Sequence, residues 1–490
     1  MMTGVSLVLW LVTATAITAP APVAFSTYFR DETMRVDYYH TGDAQDEIVT
    51  LDRVYRYGVW AGSVVRLLDT VNYGAYRHAL YDAASGKVLY TRGFDSYFKE
   101  YQASAPAQDG VSKTFHESAL LPFPKDKVVF ALEKRGKEGD FQEVFRREID
   151  PADFGVVKGQ RPDPTVKVFM IQQGGDPHVK ADVAIIAEGY TAAEQDKLQK
   201  DLKRFNEVFF RGEPCKSHRN EFNVYGVFKP SVESGADEPS HGSFRNTAVG
   251  TTFNSMGSER YLLTEENRAL RDIASHVPYD ALYIMVNHHR YGGGGIYNWY
   301  CTFTADNQWS EYLMVHEFGH SFFGLADEYY TSDVAYTDFY PPGYEPREPN
   351  ITALLDPKNL KWKHLVSPGV EIPTAWEKRE HDEADLAWQA ERRRINDRIA
   401  ELRRGGAPER EVKAVEEEYD AKDRAQSERM HRFLQSNPQA GKVGAFEGAG
   451  YASTGMYRPM VDCIMFTKGE RDFCAVCREA MVRVIRSYSE

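Results

Sequence analysis

The stretch Q-W-S-E-Y-L-M-V-H-E-F-G-H-S-F-F-G-L-A-D-E-Y-Y, from Gln308 to Tyr330, constrains this chain more than any other. Ser310 is a helix N-cap candidate, and strong helix formers follow it. On such a helix, residues four apart sit about 40° apart around the axis, so His316 and His320 can aim both imidazoles at one ion. Glu317 lies beside the first histidine and reaches a water held by that ion rather than the ion itself. Gly324 lets the chain turn sharply, and an acid beyond it can swing back as a third ligand. Asp327 is the preferred third ligand and Glu328 its rival; the other of the two could hold a ligating histidine by a hydrogen bond. Two imidazoles and a carboxylate suit Zn2+, which brings the pKa of a water toward neutrality. The expected chemistry is hydrolysis, with Glu317 taking the water's proton and returning it to a leaving amine.

The surroundings of this helix read as an α/β layer. Val183–Ala187, Phe222–Phe228 and Ala281–Val286 are buried strands by their apolar runs. Thr191 and Glu194 form a capping-box pattern, and Leu198, Leu202, Phe205 and Phe209 then recur at helical spacing. A second short helix begins at Thr264. Gly292–Gly295 precede an aromatic strand expected over Ile296–Phe303. Gly294, Gly295, Ile296, Tyr297 and Asn298 are therefore candidates for binding an extended peptide by strand addition, a mobile glycine loop being the other reading.

Residues 25–158 are β-rich, with short runs such as Val54–Tyr57, Ala79–Tyr81, Val88–Tyr90 and Val128–Leu132. Ala84–Lys87 is a hairpin signal, and the segment is expected to form a β-sandwich accessory domain. The catalytic domain is placed at 159–490, interrupted at 374–436 by a segment dense in Glu, Arg and Lys. There Trp388, Ile395, Ile399 and Leu402, then a turn at Gly405–Pro408, then Val412, Val415 and Tyr419 predict an antiparallel helical hairpin. A solvated surface insertion is the favoured reading of that hairpin, ahead of a cleft wall or docking surface.

The helix motif resembles the metzincin pattern H-E-x-x-H-x-x-G-x-x-H/D, with one extra residue before the glycine. Asp462-Cys463-Ile464-Met465-Phe466 resembles the turn whose methionine, here Met465, packs beneath the metal-binding histidines in that clan. Tyr457, with Tyr451 as the lesser choice, is the candidate to stabilise an oxyanion. The run from His316 to Tyr329, A-E-G-Y-T at Ala187–Thr191 and M-Y-R-P-M-V-D-C-I-M-F at Met456–Phe466 together resemble the IgA-cleaving zinc metallopeptidase family. That resemblance implies a zinc-dependent endopeptidase exported by a bacterium, with His316, His320 and the acidic third position as ligands and Glu317 catalytic. The expected class is mixed α+β: a metzincin-like peptidase domain behind an N-terminal β-sandwich. A zinc amidase acting on cell-wall peptide and a binding protein with a vestigial zinc site are the alternatives; the presence of Glu317 speaks against the second.

Val5–Ile17 is an apolar run of signal-peptide length, followed by small residues, so 1–24 is read as an export signal. No basic residue precedes it, and Pro20 obstructs cleavage after Ala19; a buried or tethering segment is the competing reading. No other stretch approaches membrane-span length. The formal charge of −13 argues against a nucleic-acid partner and says little about a peptide substrate, because a cleft can differ locally from the whole surface; a protein or peptide is the expected substrate. The five cysteines are Cys215, Cys301, Cys463, Cys474 and Cys477. In an exported chain a structural disulfide in the C-terminal cluster is preferred, because a fourth ligand at zinc-knuckle spacing is missing.

Overall fold

The computed structural model describes residues 23–137, 139–159, 162–331 and 339–489. The apolar run at Val5–Ile17 lies outside them. Among the described residues no helix is long and apolar enough to cross a membrane.

The first third of the chain forms eight strands: β1 (Phe29–Gly42), β2 (Glu47–Tyr57), β3 (Tyr76–Asp82), β4 (Val88–Phe94), β5 (Lys113–Pro124), β6 (Val128–Arg135), β7 (Phe141–Ile149) and β8 (Val157–Lys158). They make two four-stranded sheets, β5-β1-β2-β8 and β4-β3-β6-β7. Met34, Val36 and Tyr38 alternate along β1 and meet Tyr76, Leu80, Phe130 and Leu132 of the other sheet in one core. The intervening Arg35 and Asp37 are also fully buried. They escape the cost of buried charge by pairing with each other at 2.8 Å, and Arg35 reaches on to Asp272 in the second half of the chain.

A six-stranded sheet follows, built from β9 (Lys167–Gln172), β10 (Ala181–Glu188), β11 (Phe222–Phe228), β12 (Ala281–Val286), β13 (Gly293–Ile296) and β14 (Tyr300–Thr304). Its order is β13-β14-β12-β10-β11-β9. The four inner strands run parallel, while β13 and β9 are antiparallel edges. Both faces of the sheet are covered, which is why β10 to β12 read as continuous apolar runs. Ile185, Ala187, Tyr283 and Met285 face α1 (Gln195–Phe209) and the helix carrying His316. The alternate residues Ala184, Ile186, Leu282 and Ile284 face α2 (Asn267–Ala274) and join the same core as the N-terminal sheets.

The Thr191–Glu194 capping box forms as read, and α1 buries Leu198, Leu202, Phe205 and Phe209. Helix α2 begins three residues beyond Thr264, whose Oγ1 accepts the Glu266 N–H. The strand expected over Ile296–Phe303 is instead a hairpin: the glycines themselves form β13, and the chain reverses through Asn298 at φ +51° before β14. After α3 (Ser310–Ser321) come α4 (Lys378–Arg404) and α5 (Glu409–Ser436), joined by a short turn. Their predicted stripes meet in a small core of Ile395, Ile399, Val412 and Val415. A two-stranded hairpin, β15 (Phe446–Ala449) and β16 (Ala452–Arg458), and α6 (Ala475–Ser489) complete the chain.

Candidate metal centre

Helix α3 is held almost wholly inside the molecule, with Leu313, Met314, His316, Glu317, Phe318 and Gly319 buried. Ser310 does not cap it. Its hydroxyl donates to Asn307 O, and Asn307 Oδ1 accepts the Trp309 N–H in the turn that starts the helix. Close packing fixes the glycines around α3. A Cβ on Gly319 would lie 2.8 Å from Met465 Sδ, so the methionine sits against the bare side of the helix between the two histidines. A Cβ on Gly293 would lie 2.8 Å from Glu317 Oε1, and one on Gly295 2.9 Å from His320 Cβ. Strand β13 is thus pressed onto α3, and only glycine permits that approach. Gly324, at φ +64°, makes the sharp exit from the helix.

His316 Nε2 and His320 Nε2 are 3.2 Å apart, and Asp327 Oδ1 lies 3.1 Å from the first and 3.2 Å from the second. The opposite ring nitrogens are committed: His316 Nδ1 faces Ile464 O at 3.0 Å and His320 Nδ1 faces Leu325 O at 2.6 Å. A carbonyl can only accept, so both Nδ1 atoms carry the proton and the neutral rings turn bare Nε2 lone pairs toward each other. Asp327 Oδ1 is buried and receives no hydrogen bond. Three lone-pair donors converging in this way need a positive charge among them. Without an ion, a proton supplies that charge: burial lowers the pKa of His320, but Asp327 outweighs it and holds the imidazole at about 9. Burial raises the Asp327 carboxyl, yet the two histidines drive it well below the usual carboxylate range. Ligands at ordinary zinc distances in a tetrahedron are about 3.3 Å apart, close to what these three atoms show.

Asp327 Oδ2 accepts the Tyr451 hydroxyl at 2.7 Å. Glu328 turns the other way. Its N–H bonds Met465 O at 2.8 Å, and its buried carboxylate accepts from Asn350 at 3.0 Å. The rival third ligand is therefore remote from the histidine pair. Glu317, beside the centre and lining the open cleft, has its pKa raised, chiefly by burial.

The cleft is walled by parts of the chain far apart in sequence. Tyr73, Asp95 and Glu100 come from the N-terminal sheets' side, and Arg260, Tyr291 and Tyr329 from the middle. Asp385, Trp388, Gln389 and Arg392 come from α4, and Tyr419, Asp423 and Met430 from α5. The helical hairpin thus forms one wall of the cleft rather than only a solvated surface. Of the expected peptide-binding residues, Gly294, Gly295 and Tyr297 line the cleft. Ile296 and Asn298 are not among its described lining residues. Ile296 is packed into the core, and Asn298 donates to Gly93 O at 2.7 Å. The start of the edge strand is already paired, because Gly293 N–H bonds Arg260 O and Gly293 O accepts the Leu262 N–H.

Tyr457 is likewise not among the described lining residues. It alternates along β16 with the buried Met456 and Arg458, so its side chain lies on the other face of that hairpin, while its backbone pairs with Thr352. Tyr451 occupies the site instead. The expected disulfide is absent, for all five cysteines are free and buried. Arg260, which donates to the Tyr329 hydroxyl at 3.0 Å, was missed by sequence reasoning; no motif links it to a helix fifty residues on.

Residues 169–485 match the family model described as IgA Peptidase M64, and residues 24–146 match that described as Peptidase M64 N-terminus. No curated protein matches the chain.

Proposed function

The chain belongs to the IgA peptidase M64 family and is a peptidase, a hydrolase acting on peptide bonds; from that premise we propose that it is an exported, zinc-dependent, metzincin-like endopeptidase acting at the His316–Glu317–His320 centre. The observation that carries the reading is the convergence of His316 Nε2, His320 Nε2 and the orphaned Asp327 Oδ1 within 3.1–3.2 Å, beside Glu317 and open to a long cleft. The donor set fits Zn2+, and His316, His320 and Asp327 would hold it. When bound, zinc supplies Lewis-acid polarisation of the scissile carbonyl and makes a water acidic near neutral pH.

The remaining work falls to this chain's own side chains. Glu317 accepts the proton of the attacking water and delivers it to the leaving amine; its burial favours holding that proton between the two steps. Tyr451 and the two carbonyls on the histidine Nδ1 atoms fix the orientation of the ligands. Arg260 in the cleft wall supplies fixed positive charge against the oxyanion, the role the sequence pattern suggests for Tyr457. Gly294, Gly295 and Tyr297 line the path of an extended peptide. Support for metzincin-like architecture is the glycine turn to Asp327 and the seat of Met465 on Gly319. Support for export is the apolar run at Val5–Ile17.

The test is to incubate the purified protein, beside its Glu317→Ala variant, with a mixed protein library and map new N-termini by mass spectrometry. New termini that require Glu317 are expected. Zinc-loaded protein that generates none, or that cuts equally well without Glu317, would overturn the mechanism.

A further inference from the structure

A second cluster lies behind the first. Cys463, Cys474, Cys477 and Glu328 are all buried, and their ligand atoms lie within 4.8 Å of one another. The sequence showed three of these residues but hid the fourth, which comes from far upstream. Cys463 Sγ and Cys477 Sγ are 3.9 Å apart, and Cys477 Sγ is 3.4 Å from Glu328 Oε1. Tetrahedral zinc with ordinary bond lengths puts two sulfurs about 3.8 Å apart and a sulfur and a carboxylate oxygen about 3.5 Å apart. The spacing is thus that of ligands around an ion. The Cys474 N–H points at Cys463 Sγ at 3.3 Å and the Cys477 N–H at Cys474 Sγ at 3.4 Å, contacts that favour thiolates at the start of α6. Glu328 Oε2 is fully buried with no hydrogen-bond partner, an expensive state for a carboxylate that a proton or a nearby cation relieves. A disulfide would leave that oxygen orphaned and one buried thiol over.

We propose that Cys463, Cys474, Cys477 and Glu328 bind a second Zn2+ in a closed, structural site. The three thiols release their protons as the ion binds. Four anionic ligands leave the centre negative, and the buried Arg458 guanidinium, stacked 3.8 Å over Phe466, offsets part of that charge. The site acts through its neighbours. Glu328 follows Asp327 directly, and Cys463 precedes Ile464, whose carbonyl holds His316 Nδ1. The ion clips the loop bearing Asp327 to the turn bearing Met465 and to α6. It is a thiolate site, independent of whether the histidine centre performs hydrolysis.

Metal content and thiol content of the whole protein, purified without chelator, test the idea together. About two zinc ions per chain are expected, falling to about one in the His316→Ala/His320→Ala double variant. Replacing that remaining zinc by Co2+ should give the intense near-ultraviolet thiolate-to-cobalt band, and Cys477→Ser should abolish it. Because Cys477→Ser could fail to fold, the double variant alone carries the decision. No metal in it would overturn the proposal. So would only about three free thiols among the five cysteines after denaturation without reductant, the signature of a disulfide.

Discussion

Gly293→Ala offers a sharp test of how the general base is positioned. The new Cβ would lie 2.8 Å from Glu317 Oε1 and 3.1 Å from its Cγ, and the backbone oxygen of Thr302 at 3.0 Å stops it from retreating. Ordinary contact is about 3.5 Å, so the carboxylate has to move by about 0.7 Å. General acid–base catalysis is worth about 10²–10⁴-fold, and a misplacement of about 1 Å costs up to 10²-fold. The expected loss in kcat is therefore about 10- to 100-fold, or about 1.4–2.7 kcal/mol of barrier. Zinc content should not change, since none of the three nearest atoms to the new Cβ belongs to His316, His320 or Asp327. The assay is a double-mutant cycle on a peptide found in the cleavage map: native, Gly293→Ala, Glu317→Ala and both together. Gly293→Ala should cost nothing further once Glu317 is gone. An equal loss in both backgrounds would show that the substitution acts on substrate binding or on the fold, and the positioning argument would be refuted.

Tyr451→Phe removes the hydrogen bond to Asp327 Oδ2 and should weaken zinc binding about 10- to 100-fold in a chelator competition; unchanged affinity would show that the tyrosine does not orient the ligand. Asp423→Ala strips half-buried Lys468 of its 2.7 Å carboxylate partner and leaves Trp309 Nε1 without its acceptor, so urea denaturation should show a loss of about 2 kcal/mol, and a loss within 0.5 kcal/mol would contradict it. Burial raises the Asp280 carboxyl to about 7, and burial with the charge of Asp280 raises Asp182 to about 8. Folded pKa values above the unfolded ones mean that this pair's contribution is complete below about pH 4 and is lost as pH rises through 7 and 8. Asp280→Asn should therefore raise the melting temperature above pH 8 relative to the native protein and not at pH 4–5, whereas a pH-independent shift would rule out titration as the cause.

Much of this was legible because it is local. The capping box before α1, the apolar runs of β10, β11 and β12 and the i, i+4 histidine pair are short-range patterns, and they fold as they read. What failed was decided across the chain. A glycine run argues against a strand, yet Gly293–Gly295 pair with β14, and at Gly293 and Gly295 the side chains of α3 lie too close for a Cβ. Asp327 and Glu328 are neighbours with opposite fates, fixed by Tyr451 on one side and by Met465 O and Asn350 on the other. Tyr451 reaches Asp327 from the turn between β15 and β16, at φ +66°, a placement no local pattern announces, whereas Tyr457 lies within β16. The cysteine cluster read as a disulfide because its fourth member lies on another segment altogether.

The apolar core shared by the N-terminal sheets and β10 and β12 also limits how this enzyme can be controlled. Removing an inhibitory prodomain is easiest where its departure exposes no large apolar face. Here the seam is held both ways: Met34 and Phe130 belong to the same packed mass as Ile186 and Ile284, while Arg35 is tied across it to Asp272 and Asn267 to Ser118. Cleaving the chain near residue 158 would leave the two parts together, and pulling them apart would lay bare an oily sheet face prone to aggregate. Because Tyr73 and Asp95 line the cleft, losing the N-terminal third would also remove part of the wall that shapes what the cleft admits.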